Sequence, residues 1–202
     1  MTTTSAWTDL PTLTGALIRL EPMRAEHAAG YLAAAGVPPA SDEVFRWLSL
    51  DPPTNLDEAR QQVLDGVDSP SRRPFAQIDV ETGDFAGTTS FYEISPETKS
   101  LAIGHTWLGQ RWWRTGHNTE SKLLLLTHAF ETLGAARVVW HTDIYNERSR
   151  AAILRLGATF EGELRKHRIR RDGTWRTTMQ YSMIDDDWPE VKARLTARLN
   201  RG

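Results

Sequence analysis

The stretch that decides the architecture is KSLAIGHTWLGQRWWRTGHNTESKLLLLTHAFETLGAARVVWHTD, residues 99–143. Its pattern predicts a strand over Lys99–Leu108, a buried helix over Asn118–Leu133 and a second strand over Arg137–Asp143. Gly134 stands where a helix C-cap is expected. Two strands joined by a crossover helix pair in parallel when they are neighbours in one sheet.

The segments on either side predict further strands and helices. The flanking strands are expected at Ala16–Glu21, Phe75–Val80, Phe85–Ile94, Thr159–Arg170 and Trp175–Ile184. The flanking helices are expected at Ala25–Ala35, Leu56–Val67, Asn146–Leu156 and from the capping sequence Asp187-Trp-Pro-Glu190 onward. Short, turn-rich links make most of the strands antiparallel neighbours. The sequence therefore predicts an α/β (α+β) fold with a mixed, mostly antiparallel central sheet flanked by helices.

Composition limits the class of protein. The chain has 202 residues with 40% hydrophobic and 25% charged side chains, which suits one globular domain, expected over 15–202 after a flexible leader over 1–14. A net charge of −2 lacks the positive field of a nucleic-acid binder. Cys is absent, which excludes disulfides, thiolate metal sites and a cysteine nucleophile. With no signal peptide and no membrane-length apolar run, a cytoplasmic protein is expected.

The loop between the strand and the helix of the opening stretch is a candidate phosphate site. It reads Gln110-Arg-Trp-Trp-Arg-Thr-Gly-His-Asn-Thr119, and Gly116 allows the backbone to approach a ligand closely. The first turn of a helix carries unpaired N–H groups and a partial positive charge, where a diphosphate fits. The alternative is an ordinary strand-to-helix loop that contains a glycine.

A second candidate lies at the start of the helix Asn146–Leu156. Ser149 shares one helical face with Ala152, Ile153 and Leu156, so its hydroxyl points the same way as the apolar stripe. A hydroxyl on that face needs a polar partner, which a bound cofactor can supply, or else it serves packing alone. Asn146 has a simpler interpretation as the N-cap of the helix.

Several motifs in fixed order carry a resemblance to a known family. They are Ile103-Gly104, Trp113-Arg-Thr-Gly-His-Asn-Thr-Glu120, His128-Ala-Phe-Glu131, Asn146-Glu-Arg-Ser149, and Leu156-Gly-Ala followed by Glu161-Gly-Glu-Leu-Arg165. The stretch from Ala102 to Arg165 resembles the GNAT acetyltransferase superfamily, in its RimJ/RimL-like branch, which is similar to the enzymes that acetylate ribosomal-protein N-termini. Weaker similarity extends over nearly the whole chain.

The resemblance implies that acetyl-CoA binds in a cleft where the fourth and fifth strands splay apart. The implied cofactor-binding residues are Trp107, Leu108, Arg111, Arg114, Thr115, Gly116, His117, Asn118, Thr119, Asn146 and Ser149. The family's phosphate-loop signature falls on Arg111, Arg114 and Gly116, so Arg114 replaces its middle glycine. A side chain there could add a charge-assisted contact to phosphate.

The catalytic groups are less defined. Relatives often carry Glu directly before the Ile-Gly pair, whereas this chain has Ala102. His105, Glu93 or a water chain are therefore the candidate proton acceptors. Ser149 and Tyr145 are the candidates that return a proton to the leaving thiolate. A structural role is the alternative for Tyr145 and His105, and a backbone N–H near a distortion of the fourth strand is expected to hold the oxyanion.

The remaining expectations concern partners. The six histidines show no metal-ligand spacing, so no metal is expected. The basic run Arg165–Arg171 either attracts an acidic peptide or a cofactor phosphate, or protects a sheet edge. The acceptor is an amine, on a protein N-terminus or a small molecule, and a homodimer is common for such domains. A GNAT-shaped module that only binds acyl-CoA is the alternative function.

Overall fold

The computed structural model describes residues 7–201. The strands are β1 (Leu13–Thr14), β2 (Ile18–Pro22), β3 (Arg72–Asp79), β4 (Phe85–Ser95), β5 (Ser100–Leu108), β6 (Arg137–Asp143), β7 (Thr159–Ile169) and β8 (Trp175–Ile184). The α-helices are α1 (Ala28–Ala35), α2 (Ala40–Phe45), α3 (Leu56–Val67), α4 (His117–Thr127), α5 (Glu147–Leu156) and α6 (Trp188–Leu199). The strands form one sheet in the order β1-β2-β3-β4-β5-β6-β8-β7.

The sheet is mixed, as predicted, because only β5 and β6 pair in parallel. Their pairing covers only Ser100–Ala102 of β5 against Arg137–Val139 of β6, although both strands continue beyond it. The two strands therefore separate into a V-shaped cleft. The short β1 shifts the strand numbers by one, so the predicted fourth and fifth strands are β5 and β6.

Helices cover both faces of the sheet. Buried side chains of α1, α2 and α3 share one apolar cluster, and those of α4, α5 and α6 share another. Phe75 and Ala76 are successive residues of β3 that belong to different clusters, as expected when side chains alternate across a strand. The sheet is thus the middle of three layers.

A bulge distorts β5 beside the cleft. In the β4–β5 register Thr88 faces Trp107 and Ser90 faces Gly104, so one residue of β4 opposes two of β5. His105 lies in this bulge with a φ of 50°, a left-handed conformation that is uncommon for a residue with a side chain. The predicted distortion of this strand is therefore present.

Glu120 connects α4 to the start of the sheet. Its carboxylate is buried and accepts hydrogen bonds from the backbone N–H groups of Ala16, Leu17 and Ile18, at 2.9, 2.7 and 2.8 Å. Charge-assisted bonds of this kind are about twice as strong as neutral ones. The side chain fixes β2 against α4 and so fixes the helix relative to the cleft.

The N-terminal region differs from the expected flexible leader over 1–14, of which residues 1–6 lie outside the described part. Trp7 is buried in the core, and Leu13–Thr14 pairs with Leu20 and Arg19 of β2. An indole and an additional strand both bury surface against the domain, which holds this segment in place.

Two helical features also differ from expectation. The short α2 was not anticipated between the Pro pairs, and the predicted helix Asn118–Leu133 ends in a π-helical turn over His128–Thr132. Within residues 7–201, each helix is too short or too polar to traverse a lipid bilayer.

Candidate active site

A cleft of about 1490 Å³ opens where β5 and β6 separate. It is lined by β5, β6, the first turns of α4 and α5, and residues of the cap formed by α1–α3 and their links, among them Tyr31, Trp47 and Gln62. Small-molecule pockets typically measure 300–1000 Å³, so this cleft has room for two substrates.

Eight of the predicted cofactor-binding residues line the cleft. They are Trp107, Leu108, Arg114, Thr115, Asn118, Thr119, Asn146 and Ser149. The side chain of Arg111 instead forms an ion pair with Asp84, at 2.7 Å, and the His117 imidazole lies 3.2 Å from the Asp79 carboxylate. Arg111 and His117 therefore hold the loop against β3 and the β3–β4 turn and do not face the cleft.

The N-terminus of α4 has the properties of an anion site. Its N-cap is Gly116, which has no side chain to cap the helix; the N–H of His117 donates to the Thr115 hydroxyl at 3.4 Å, and the N–H groups of Asn118 and Thr119 remain available. Arg114 lines the cleft beside it with a φ of 60°. This left-handed conformation normally favours glycine, and it occurs at the position where the family signature has one. Arg114 thus adopts the left-handed backbone conformation although it is not a glycine.

Gly116 also packs against neighbouring side chains. Its φ of −68° is open to any residue. A Cβ at this position would lie 2.6 Å from Cδ1 of Leu17 and 3.5 Å from Cδ2 of Leu199. A side chain at this position would therefore require the end of the Leu17 side chain to move.

The start of α5 places Ser149 at the cleft. The Oδ1 atom of Asn146 accepts the backbone N–H of Ser149 at 3.0 Å, so Asn146 is the N-cap. Both residues also line the cleft. Tyr145, just before them, has a 65% exposed side chain under the guanidinium of Arg170, 4.9 Å from the ring centroid. Tyr145 lies at the mouth, and Ser149 lies deeper along α5.

Of the two predicted proton acceptors, only His105 lines the cleft. The His105 side chain is exposed to solvent on one side and packed against protein on the other. This partial burial, together with the charges of Arg72 and Arg168, lowers the pKa of His105 to about 4. Glu93 lies outside the cleft lining, within 3.8 Å of His141 and 3.6 Å of Arg168. Ala102, at the position where relatives often carry Glu, is 1% exposed and is paired with both neighbouring strands.

A hydrogen-bonded chain across the sheet orients His141, which the sequence did not reveal. Arg137 binds Glu161, and hydrogen bonding to Arg137 lowers the pKa of Glu161 to about 2. Gln180 donates its amide N–H to Glu161 at 3.1 Å, which leaves its Oε1 to accept from Nε2 of His141 at 3.1 Å. Nδ1 of His141 then accepts the Tyr92 hydroxyl at 3.0 Å. Both ring nitrogens are hydrogen-bonded, so His141 holds the Tyr92 hydroxyl in place beside the cleft.

Lys122 is a second residue that sequence analysis missed. It lies on α4, is 5% exposed, and donates to the hydroxyls of Thr89 and Thr106 at 3.0 and 2.8 Å. Burial lowers its pKa to about 7. Its spacing of three and four residues from Leu125 and Leu126, both fully buried, was the available signal. Lys122 places an amine under the β5 bulge.

The splayed parallel pair, the helix N-terminus and the hydroxyl on α5 define an acyltransferase of the type that takes its acyl group from coenzyme A. The model of the Acetyltransferase (GNAT) domain matches residues 18–159, and the chain belongs to this family. GNAT domains use acetyl-CoA as acyl donor. Within residues 7–201 there is no group of three or more His, Asp or Glu side chains that could hold a metal ion.

Similar proteins support this assignment. A GCN5-related N-acetyltransferase from Brucella melitensis is 31% identical, with a TM-score of 0.91 over 95% of this chain and 86% of that one. A structure from T. thermophilus, provisionally described as an acetyltransferase, is 38% identical, with a TM-score of 0.85 over 95% and 98%. YdaF of Bacillus subtilis strain 168, provisionally named a ribosomal N-acetyltransferase, is 25% identical over 86% of this chain and 92% of its own. The chain is therefore an acetyltransferase of the GNAT family.

Proposed function

We propose that this enzyme transfers the acetyl group of acetyl-CoA directly to a neutral primary amine, with α-amines preferred over lysine side chains. The observation that carries the proposal is the cleft between β5 and β6, which reaches from the β5 bulge to the N-terminus of α4. Direct transfer is consistent with the absence of cysteine, since no thiol is present to carry an acetyl group.

The residues along the cleft suit acetyl-CoA. Arg114, with the backbone of Asn118 and Thr119 in the first turn of α4, would hold the phosphates. The facing edges of β5 and β6 beyond Ala102 and Val139 do not pair with each other, so their backbone groups are available to an amide-bearing arm. When bound, acetyl-CoA supplies an acetyl group activated as a thioester.

The chain's own groups provide charge stabilisation and a proton. Backbone N–H groups in the β5 bulge around His105 are the candidates to hold developing negative charge on the carbonyl oxygen. The Ser149 hydroxyl at the start of α5 is assigned as the proton donor to the leaving sulfur, and water returns to Ser149 the proton that the nitrogen loses as the amide forms. Asn146 fixes the first turn of α5 and with it the position of Ser149.

The preference for α-amines follows from the weak base. A histidine with a pKa of about 4 is neutral at pH 7 but too weakly basic to deprotonate an ammonium group well. An α-amino group is about a tenth to a sixth neutral at pH 7, whereas a lysine side chain is about 0.04% neutral. The acceptor that arrives already neutral is therefore the better substrate.

Matched peptides test this proposal. One peptide has a free N-terminus and no lysine, and the other has a blocked N-terminus and one lysine. Thiol release from acetyl-CoA is measured with both from pH 6 to 9. We expect the free N-terminus to give the higher kcat/KM at pH 7. A higher value for the lysine peptide would contradict the proposed acceptor, and thiol release with neither, despite acetyl-CoA binding, would indicate a binding module.

A further inference from the structure

Several arginines line the cleft on the sheet side. Five of them are Arg72 of β3, Arg168 of β7, Arg176 of β8, and Arg170 and Arg171 at the β7–β8 turn. Three have carboxylate partners. Arg170 binds Asp143 at 2.6 Å, Arg171 binds Asp51 at 3.1 Å, and Arg168 lies 3.6 Å from Glu93.

Neither Arg72 nor Arg176 has an ion pair within 4 Å among residues 7–201, and the nearest carboxylate charge acting on Arg176 is Asp143, which is already paired with Arg170. Nε of Arg72 donates to the Ser90 hydroxyl at 2.8 Å, which satisfies a hydrogen bond but not the charge. Nε of Arg176 is shielded from solvent and has no hydrogen-bond partner in the described part of the chain. Burial lowers the pKa of both guanidinium groups below the ordinary value. A partly buried charge without a partner is costly, and a bound anion would offset that cost.

The two arginines converge on one region. Arg72 faces Tyr92 in the β3–β4 register, and Arg176 faces Arg168 in the β7–β8 register. Burial raises the pKa of Tyr92, and the charges of Arg168 and Arg176 partly oppose this rise. The Tyr92 ring lies 5.2 Å from the His105 ring. Like charges directly opposite on neighbouring strands destabilise a sheet. This region is suited to a negative group from outside the chain.

The cofactor's phosphates do not account for these cations. Asp79, the last residue of β3, contacts His117 at the start of α4, whereas Arg72 is the first residue of the same strand. Seven steps along a strand cover about 23 Å. Arg72 therefore lies far from the phosphate site at the N-terminus of α4, and Arg176 lies on β8, on the β6 side of the cleft.

On the premise of the proposed amine acetylation, we propose that the acceptor carries a carboxylate close to its amino group, and that Arg72 and Arg176 bind this carboxylate. Guanidinium groups match the geometry of a carboxylate and can form bidentate contacts with it. The same cations disfavour a positively charged amine nearby, so they help the amine to remain neutral. An acidic peptide N-terminus and a free acidic amino acid share this chemistry.

The test compares acceptors that differ only in charge. Two lysine-free peptides with free N-termini carry Asp-Glu or Asn-Gln at positions two and three, and glutamate is compared with glutamine α-amide, which has no carboxylate. A charge-assisted contact predicts a kcat/KM about tenfold to hundredfold higher for the acidic member of a pair. If only the peptides show a preference for the acidic member, the acceptor is an acidic peptide. If only the amino acids show it, the acceptor is a free acidic amino acid. High salt reduces the preference.

Arg176→Gln and Arg72→Gln are each expected to lower, about tenfold or more, the ratio of kcat/KM for the acidic acceptor to kcat/KM for the neutral acceptor. Arg73→Gln is the matched control, because Arg73 adjoins Arg72, binds backbone carbonyls of Pro70 and Arg72, and is not part of the cleft lining. Thermal melts verify folding. If Arg72→Gln does not fold, Arg176→Gln and the half-exposed Arg168→Gln carry the comparison.

Direct binding separates this inference from the proposed function. Fluorescence anisotropy measures the affinity of each peptide, labelled at its C-terminus, without acetyl-CoA. Tighter binding of the acidic peptide that is lost in Arg176→Gln but kept in Arg73→Gln supports the inference, even if no thiol is released with any amine. Thiol release at equal kcat/KM with acidic and neutral acceptors, or equal affinities for the two peptides, overturns the inference and leaves the acetyltransferase intact.

Discussion

The buried amine of Lys122 predicts an unusual dependence of stability on pH. Its Nζ contacts only the hydroxyls of Thr89 and Thr106 among the hydrogen bonds described, and burial lowers its pKa from 10.5 to about 7. In the unfolded chain the same lysine keeps its ordinary value. Replacement by methionine, Lys122→Met, preserves the length of the side chain and removes the titrating group.

The sign follows from the protons that each state binds. Between pH 7 and 10.5 the unfolded chain keeps the proton on Lys122 while the folded chain loses it, so the free energy of unfolding rises with pH. Below pH 7 both states are protonated and the full penalty of burying the charge remains. Linkage gives a rise of about 2 kcal/mol from pH 7 to 9. The whole penalty reaches at most about 5 kcal/mol.

Chemical denaturation followed by tryptophan fluorescence measures this term at fixed ionic strength. The comparison is the difference in unfolding free energy between Lys122→Met and the unsubstituted protein, because other titrating groups cancel. We expect Lys122→Met to be the more stable at pH 7, by a margin that shrinks by about 2 kcal/mol at pH 9. Lys192→Met, at an exposed lysine paired with Glu131, is the control. A constant margin across this range would refute the assigned pKa of Lys122.

Three further substitutions test other parts of the account. Glu120→Gln loses the carboxylate that accepts three backbone N–H groups, and we expect denaturation to show a loss of about 3 kcal/mol; an unchanged midpoint would contradict that role. Arg114→Gly relieves a left-handed backbone but removes a cation, so the melting temperature should not fall while KM for acetyl-CoA rises about tenfold. Ser149→Ala should lower kcat about hundredfold with normal stability, since the cap uses the backbone N–H of Ser149; full activity would exclude Ser149 as proton donor.

The sequence predicted those features that depend on local pattern. The crossover from β5 through α4 to β6, the capping role of Asn146 and the mixed sheet all follow from periodicity and turn residues, and the structure confirms them. The splayed cleft was expected from the resemblance alone. Its position agrees with the three paired positions of β5 and β6.

Features that depend on distant residues were not predicted. Lys122 shares a face with Leu125, but its hydroxyl partners Thr89 and Thr106 come from two strands remote in sequence. Gly116 packs against the end of the Leu17 side chain, a residue almost one hundred positions away. The tautomer of His141 depends on partners in three other strands. No local pattern encodes such contacts, so only the folded arrangement reveals them.

The central claim is acetyl transfer from acetyl-CoA to an amine in the cleft between β5 and β6. The most direct measurement is mass spectrometry of a peptide with a free N-terminus after incubation with the enzyme and acetyl-CoA that carries an isotope-labelled acetyl group. We expect the label on the α-amino group of the peptide, together with one free thiol for each acetyl group transferred. Acetyl-CoA that binds but gives no label on acidic, neutral or lysine-containing peptides or on free amino acids would contradict it.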